Sequence, residues 1–134
     1  MELDYQADAG RNNRVILGHS YGGLFGAYAF TVNNKVFGNY IMLSPSLWFD
    51  NYVLLQMEKD NRANNKINKQ LVFMGIGASE ERDRMLAPFE TFYQTLHDNY
   101  SNIKLGKNIE KNTSHMDSRN PNMIKGLVYY FLNR

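Results

Sequence analysis

The sequence contains no cysteine, which excludes disulfide bonds and thiolate metal sites. It also has no long apolar run: stretches such as residues 15–17 and 71–77 are far too short to cross a bilayer, so no membrane role is predicted. An excess of one charge is absent as well, since 15 basic and 13 acidic residues are interspersed and leave a net charge of +2. This charge pattern gives no reason to expect binding to nucleic acid.

What remains is an ordinary globular composition, with 43% hydrophobic and 21% charged residues. A chain of 134 residues is long enough to bury one hydrophobic core. We therefore treat residues 1–134 as a single domain.

Short apolar runs alternate with longer amphipathic segments, which predicts an α/β fold around a mainly parallel sheet of about four strands flanked by helices. The predicted strands are residues 15–17, 40–43, 71–77 and 103–109. The predicted helices are residues 21–32, 50–60 with Asp50 or Asn51 as cap, 85–98, and a last helix capped by Asn120. Residues 61–69 are expected to form a polar loop, and the last helix is expected to bury Met123, Ile124, Leu127, Val128 and Phe131.

Gly18-His19-Ser20-Tyr21-Gly22 is a G-x-S-x-G motif directly after a predicted strand and before a predicted helix. This is the context of a nucleophile elbow, a sharp strained turn that lifts the serine hydroxyl clear of the sheet. The two glycines are expected to prevent collisions where strand and helix cross. The amide of Tyr21, at a helix N-terminus, is expected to stabilise a developing oxyanion. The motif predicts Ser20 as a nucleophile.

A serine hydroxyl needs a base to take its proton, and the chain has three histidines. His19 is adjacent to Ser20, and its side chain is expected to point away from the attack site. His97 falls on the polar side of a helix and is expected to be solvated. His115 lies in a polar loop after the last strand and before the final helix, where the base belongs in the hydrolase order Ser…acid…His.

The acid that orients the histidine is expected after an earlier strand. Glu80, which follows the strongest strand, is the first choice, with Glu81 and Asp83 next. Asp50, after the preceding strand, is a further candidate. No cluster of histidines and carboxylates has ligand spacing, so neither a metal nor an organic cofactor is predicted.

These residues resemble a known family of α/β hydrolases that includes enterobactin (siderophore) esterases and S-formylglutathione hydrolases. The resemblance covers about residues 10–132 and is carried by the G-x-S-x-G motif, by Ser44-Pro45-Ser46-Leu47-Trp48, by Gly77 with Glu80 three residues on, and by His115 before Gly126-Leu127. It implies the C-terminal half of an α/β hydrolase, with Ser20 as nucleophile, Glu80 as acid and His115 as base. It also implies a small-molecule ester substrate, such as a siderophore lactone, near the predicted substrate-binding residues His19, Ser46 and Trp48, with Ser44 in the same pocket wall.

Members of that family have several strands before the elbow, and a loop there supplies a second oxyanion amide. Only the Tyr21 amide is accounted for in this sequence, so we expect a partial hydrolase domain. Two alternatives follow: an inactive remnant that serves as a binding or assembly module, and an acyltransferase with the same triad. The first strand would also be an exposed edge, which predicts a homodimer through that edge.

Overall fold

The computed structural model describes residues 10–134, which form a four-stranded parallel sheet flanked by four helices. The strands are β1 (Val15–His19), β2 (Asn39–Leu43), β3 (Leu71–Gly77) and β4 (Lys104–Glu110). The helices are α1 (Tyr21–Asn33), α2 (Phe49–Asn65), α3 (Ala87–Asn99) and α4 (Arg119–Asn133), with a π-helical turn at Arg82–Leu86 leading into α3. The strand order in the sheet follows the chain, β1-β2-β3-β4, which confirms the predicted α/β fold class.

The three helices that connect consecutive strands all lie on one face of the sheet, and α4 covers the other. Tyr40 and Met42 of β2 belong to the core beneath α1, α2 and α3, whereas Ile41 and Leu43 pack with Tyr130 of α4. Parallel crossovers are right-handed, so a sheet that grows in one direction places every crossover helix on the same side. Both faces of β2 and β3 are therefore buried, which fits their continuous apolar sequences, whereas β1 at the edge of the sheet is only partly buried.

Helix α2 is longer than predicted and ends at Asn65, inside the segment expected to be a polar loop. The Asn65 side chain is 3% exposed and donates to the carbonyl of Thr31 at 2.8 Å, while its Oδ1 accepts the amide of Asn34 at 3.2 Å. These asparagines join the ends of α1 and α2. The start of α2 also differs, because Asp50 and Asn51, the predicted caps, lie within the helix with positive φ angles.

The face that α4 turns to the sheet differs from the predicted one: of the five residues expected to be buried, Met123 packs against the core and the other four are exposed. Its buried residues are Asn122, Gly126 and Tyr130, whereas Ile124 and Phe131 are 59% and 58% exposed. Gly126 explains the close approach, since a Cβ there would lie 2.7 Å from a methyl carbon of Ile41. The prediction from hydrophobic periodicity was wrong here because a small and a polar residue occupy the tightly packed side.

Within residues 10–134, no helix is long and apolar enough to cross a membrane.

Candidate active site

Ser20 occupies a strained turn between β1 and α1. Its φ of 63° and ψ of −116° lie outside the regions that a non-glycine residue normally adopts. Backbone bonds hold the turn: the Ser20 amide donates to the carbonyl of Leu43 at 2.9 Å, and the Ser20 carbonyl accepts the amides of Leu24 and Ser46. The turn thus has the strand–turn–helix geometry of a nucleophile elbow.

The two glycines of the motif do not have the same role. A Cβ on Gly18 would lie 2.3 Å from the carbonyl carbon and oxygen of Gly22, so this position cannot carry a side chain without moving the backbone. A Cβ on Gly22 would meet nothing within 4 Å, and the expectation that both glycines relieve a collision was wrong for Gly22. The second tightly packed glycine is Gly23, where a Cβ would lie 2.7 Å from the Leu43 carbonyl oxygen.

Three side chains from distant parts of the chain form one hydrogen-bonded line. His115 lies in the loop between β4 and α4, with its Nε2 2.9 Å from Oγ of Ser20. Its Nδ1 is 2.7 Å from Oε1 of Glu80, which follows β3. The Glu80 side chain is 1% exposed, so this carboxylate is held away from solvent. A serine hydroxyl, an imidazole and a buried carboxylate in this order have the geometry of a hydrolase triad.

Ser44 and Gly77 fix the second oxygen of Glu80. The Ser44 hydroxyl donates to Oε2 at 2.6 Å, and the Gly77 amide donates to the same atom at 2.8 Å. The resemblance placed Ser44 in the substrate pocket, but it is fully buried and supports the carboxylate instead. Sequence reasoning missed this contact because the two residues are 36 positions apart.

Of the four candidate acids, Glu80 is the one that contacts His115. The Glu81 carboxylate accepts the amides of Asp83 and Arg84 and so caps the π-helical turn. Asp83 is exposed, and its carbonyl accepts the Tyr52 hydroxyl. Asp50 lines a separate groove between α1 and α2.

The other two histidines lie outside the cleft that contains Ser20. His97 is exposed and pairs with Asp98. His19 Nε2 donates to the carbonyl of His115 at 2.8 Å, and the centroids of the two rings are 4.7 Å apart, so its side chain supports the loop that holds His115 and does not line the cleft. Burial lowers the pKa of His19, which favours the neutral ring.

The cleft above Ser20 has a volume of about 280 Å³. It is lined by Ser20, Tyr21, Ser46, Trp48, Glu80, Glu81, Arg84, Met85 and His115. The Ser46 hydroxyl lies 3.4 Å from that of Ser20. The Trp48 ring forms one wall of the cleft, and the central guanidinium carbon of Arg84 lies 4.3 Å from the centroid of this ring. Arg84 and Met85 are additions to the predicted set, since the sequence gives no sign that the π-helical turn folds over the site.

No group of three or more histidine or carboxylate side chains capable of holding a metal occurs in the part of the chain that the structure describes.

Comparison with known proteins identifies the fold through structure and not through sequence. No protein-family model matches the sequence, and no curated protein is similar enough to match. Among solved structures, the chain is similar to the BES protein from Bacillus cereus, with 24% identity and a TM-score of 0.79, over 94% of this chain and 48% of that one.

Two further solved structures are also similar to most of this chain, and this chain again covers less than half of each. The siderophore hydrolase EstA from Aspergillus nidulans matches with 23% identity and a TM-score of 0.79, covering 90% of this chain and 49% of that one. An IroE-like serine hydrolase from Shewanella oneidensis matches with 19% identity and a TM-score of 0.74, covering 94% and 42%. The chain thus has an α/β-hydrolase fold and spans about half the length of the solved structures that it matches.

Proposed function

We propose that this chain carries the catalytic residues of a serine esterase, with Ser20 as nucleophile, His115 as base and Glu80 as the acid that orients it. The observation that supports this proposal is the continuous line Ser20–His115–Glu80, with contacts of 2.9 and 2.7 Å. The strained φ of Ser20, 63°, adds to it, because such strain is typical of functional sites.

In the proposed reaction, Oγ of Ser20 attacks the ester carbonyl carbon while Nε2 of His115 takes the hydroxyl proton. The carboxylate of Glu80 accepts the Nδ1–H and stabilises the imidazolium. The negative oxygen of the tetrahedral intermediate accepts the amide of Tyr21, which begins α1 and so has no partner within the helix. Collapse breaks the ester bond, and the departing alcohol takes the proton from His115. In the second half of the reaction, His115 takes a proton from water, which attacks the acyl carbon. The bond to Ser20 Oγ then breaks, and Ser20 takes the proton back from His115 as the acid leaves.

We further propose a small-molecule ester as the substrate, with siderophore lactones as the first class to test. The hydrolase from Aspergillus nidulans is named for a siderophore, and the Ser46 and Trp48 side chains that the resemblance pointed to line the cleft. A cleft with a hydroxyl and an aromatic wall next to the nucleophile suits an ester with a polar and a planar part.

The first test is hydrolysis of para-nitrophenyl butyrate by the purified chain. We expect release of nitrophenol above the buffer blank, and butyric acid as the main product when dilute methanol is present. Methyl butyrate as the main product would favour the acyltransferase alternative. Release no faster than in buffer would contradict catalysis by this chain.

A second candidate function, assembly with another copy of the chain, is supported by three uncovered apolar surfaces. Among residues 10–134, β1 pairs with β2 alone, and its Leu17 is 37% exposed. The outer side of α1 presents an apolar stripe: Tyr21, Phe25, Tyr28 and Val32. The stripe on α4 consists of Ile124, Leu127, Val128 and Phe131. Exposed apolar patches next to an open strand edge mark interaction sites.

The stripe on α4 is turned toward the β1 end of the sheet. Lys125 bonds to Glu110 of β4, and Tyr129 packs on Gly106 of β4. Leu127 and Phe131 lie on the opposite side of the helix, about half a turn away at 100° per residue. The stripe on α4 and the open edge of β1 thus adjoin, so that a twofold partner could extend the sheet and cover α4. The stripe on α1 instead borders the groove between α1 and α2.

We expect light scattering to give a dimer mass for the chain, and the monomer mass for Leu17→Lys or Phe131→Glu, each of which places a charge in the contact. Ile67→Glu is the control, since Ile67 is exposed beyond the end of α2 and lies outside these surfaces. A monomer at high concentration would exclude the homodimer, and dimers in all variants would place the contact elsewhere.

A further inference from the structure

We propose that Arg84, held on the ring of Trp48, binds an anionic group of the substrate, so that the site prefers esters whose acyl or alcohol part carries a negative charge. This inference rests on the proposed esterase function and adds a substrate class to it. Arg84 was not among the residues that the sequence indicated.

The guanidinium of Arg84 is fixed at the cleft. Its central carbon lies 4.3 Å from the centroid of the Trp48 ring, in a cation–π contact, and both side chains line the same cleft as Ser20 and His115. A second contact joins the start of α2, which follows Trp48, to the π-helical turn, because the Tyr52 hydroxyl donates to the carbonyl of Asp83 at 3.3 Å. The Arg84 cation, although exposed, is therefore held over Trp48 in the wall of the cleft that contains the predicted nucleophile.

The charge of Arg84 has no counter-ion within the described part of the chain. Its neighbour Arg82 pairs with Glu90 at 3.6 Å, but no carboxylate among residues 10–134 lies within ion-pair distance of the Arg84 guanidinium. Nor does its side chain donate a hydrogen bond to any of these residues; the bond it makes is from its backbone amide to Glu81. The fork of N–H donors is thus available to a ligand.

The two carboxylates in the cleft are occupied by other groups. Glu80 is buried and bonded to His115. Glu81 accepts the amides of Asp83 and Arg84, at 3.1 and 2.7 Å, where the positive end of the turn offsets its charge. Arg84, which has no ion-pair partner among residues 10–134, therefore favours a ligand with a negative charge. A planar guanidinium stacked on an aromatic ring suits a carboxylate, sulfonate or similar oxyanion, which it can bind through two parallel bonds.

The test compares three para-nitrophenyl esters of equal acyl length, whose chains end in a methyl, a sulfonate or a trimethylammonium group. The sulfonate avoids the self-hydrolysis that a carboxylate would cause. In Arg84→Gln we expect kcat/KM for the anionic ester to fall about tenfold more than kcat/KM for the neutral ester, since a hydrogen bond to a charged group contributes about that factor. Arg84→Lys should retain part of the preference, and Arg82→Gln, in the same turn, should leave it unchanged. An equal loss for all three esters would assign Arg84 a purely structural role and overturn the inference.

A binding measurement keeps this inference separate from the proposed function. Trp48 is the only tryptophan in the sequence, so its fluorescence reports on this cleft. Binding is measured in Ser20→Ala, so that no turnover is required, with ethyl esters of the same sulfonate-ended and methyl-ended acyl chains. We expect the sulfonate ester to bind more tightly than the neutral ester, and the additional substitution Arg84→Gln to remove the difference. Equal affinities, or no response to the anion, would overturn the inference. Absence of hydrolysis together with anion binding would instead refute the esterase proposal alone.

Discussion

Replacing Ser20 with alanine is expected to lower the rate of ester hydrolysis by about 10⁴-fold or more. The Ser20 hydroxyl is the one that His115 Nε2 reaches, at 2.9 Å. Without this oxygen no covalent intermediate can form, whereas the cleft and the Tyr21 amide remain. The measurement is kcat with para-nitrophenyl butyrate, and folding is checked through the fluorescence of Trp48.

The activities of single and double variants show whether Ser20 and His115 act together. If Ser20 and His115 act as one unit, His115→Ala should cost about as much as Ser20→Ala, and the double variant should be no slower than either single variant. Glu80→Gln should cost less, because it leaves the nucleophile and the base in place. His97→Ala is the matched control, since His97 is exposed and pairs with Asp98. Losses that multiply in the double variant would show that the two residues act independently and contradict the triad.

Replacing Gly18 with alanine is expected to destabilise the chain by about 3 kcal/mol or more, or to prevent folding. The added Cβ would lie 2.3 Å from the carbonyl of Gly22, so strand β1 and helix α1 would have to separate. Unlike the flexible end of a side chain, a backbone carbonyl cannot turn away. Unfolding in urea, followed through Trp48 fluorescence, measures the change in the free energy of unfolding.

Gly22→Ala serves as the control within the same motif. A Cβ at that position meets nothing within 4 Å, and alanine is the better helix former, so we expect stability to be unchanged or raised by about 0.5–1 kcal/mol. Equal destabilisation by both substitutions would contradict the packing described for the strand–helix crossing.

The parts of the fold that the sequence predicts well are those in which local pattern and tertiary packing agree. Strands β2 and β3 are continuous apolar runs because helices cover both of their faces. Helix α4 shows the converse. Gly126 and Asn122 face the sheet because Ile41 of β2 leaves room only for a small residue and Asn108 of β4 donates a hydrogen bond to Asn122. Hydrophobic periodicity predicts that the more apolar side of a helix is buried, and it contains no information on such contacts with other elements.

The candidate site divides in the same way. Ser20 and His115 could be predicted because each follows a strand in the hydrolase order, at the carboxyl edge of a parallel sheet. Ser44 and Arg84 could not, since each is defined by one contact across the site, to Glu80 and to Trp48 respectively. His19 shows the limit of proximity in sequence: it neighbours Ser20, yet the curvature of the turn directs its ring to the backbone of the loop that holds His115.

Reaction of the purified chain with a fluorophosphonate, followed by mass spectrometry, tests the central claim most directly, because the reagent attaches only to a hydroxyl that has been made nucleophilic. We expect one adduct per chain, on the tryptic peptide 15–35 in which Ser20 is the only serine, and its loss in Ser20→Ala and His115→Ala. An unmodified chain, or an adduct that persists in Ser20→Ala, would contradict the account.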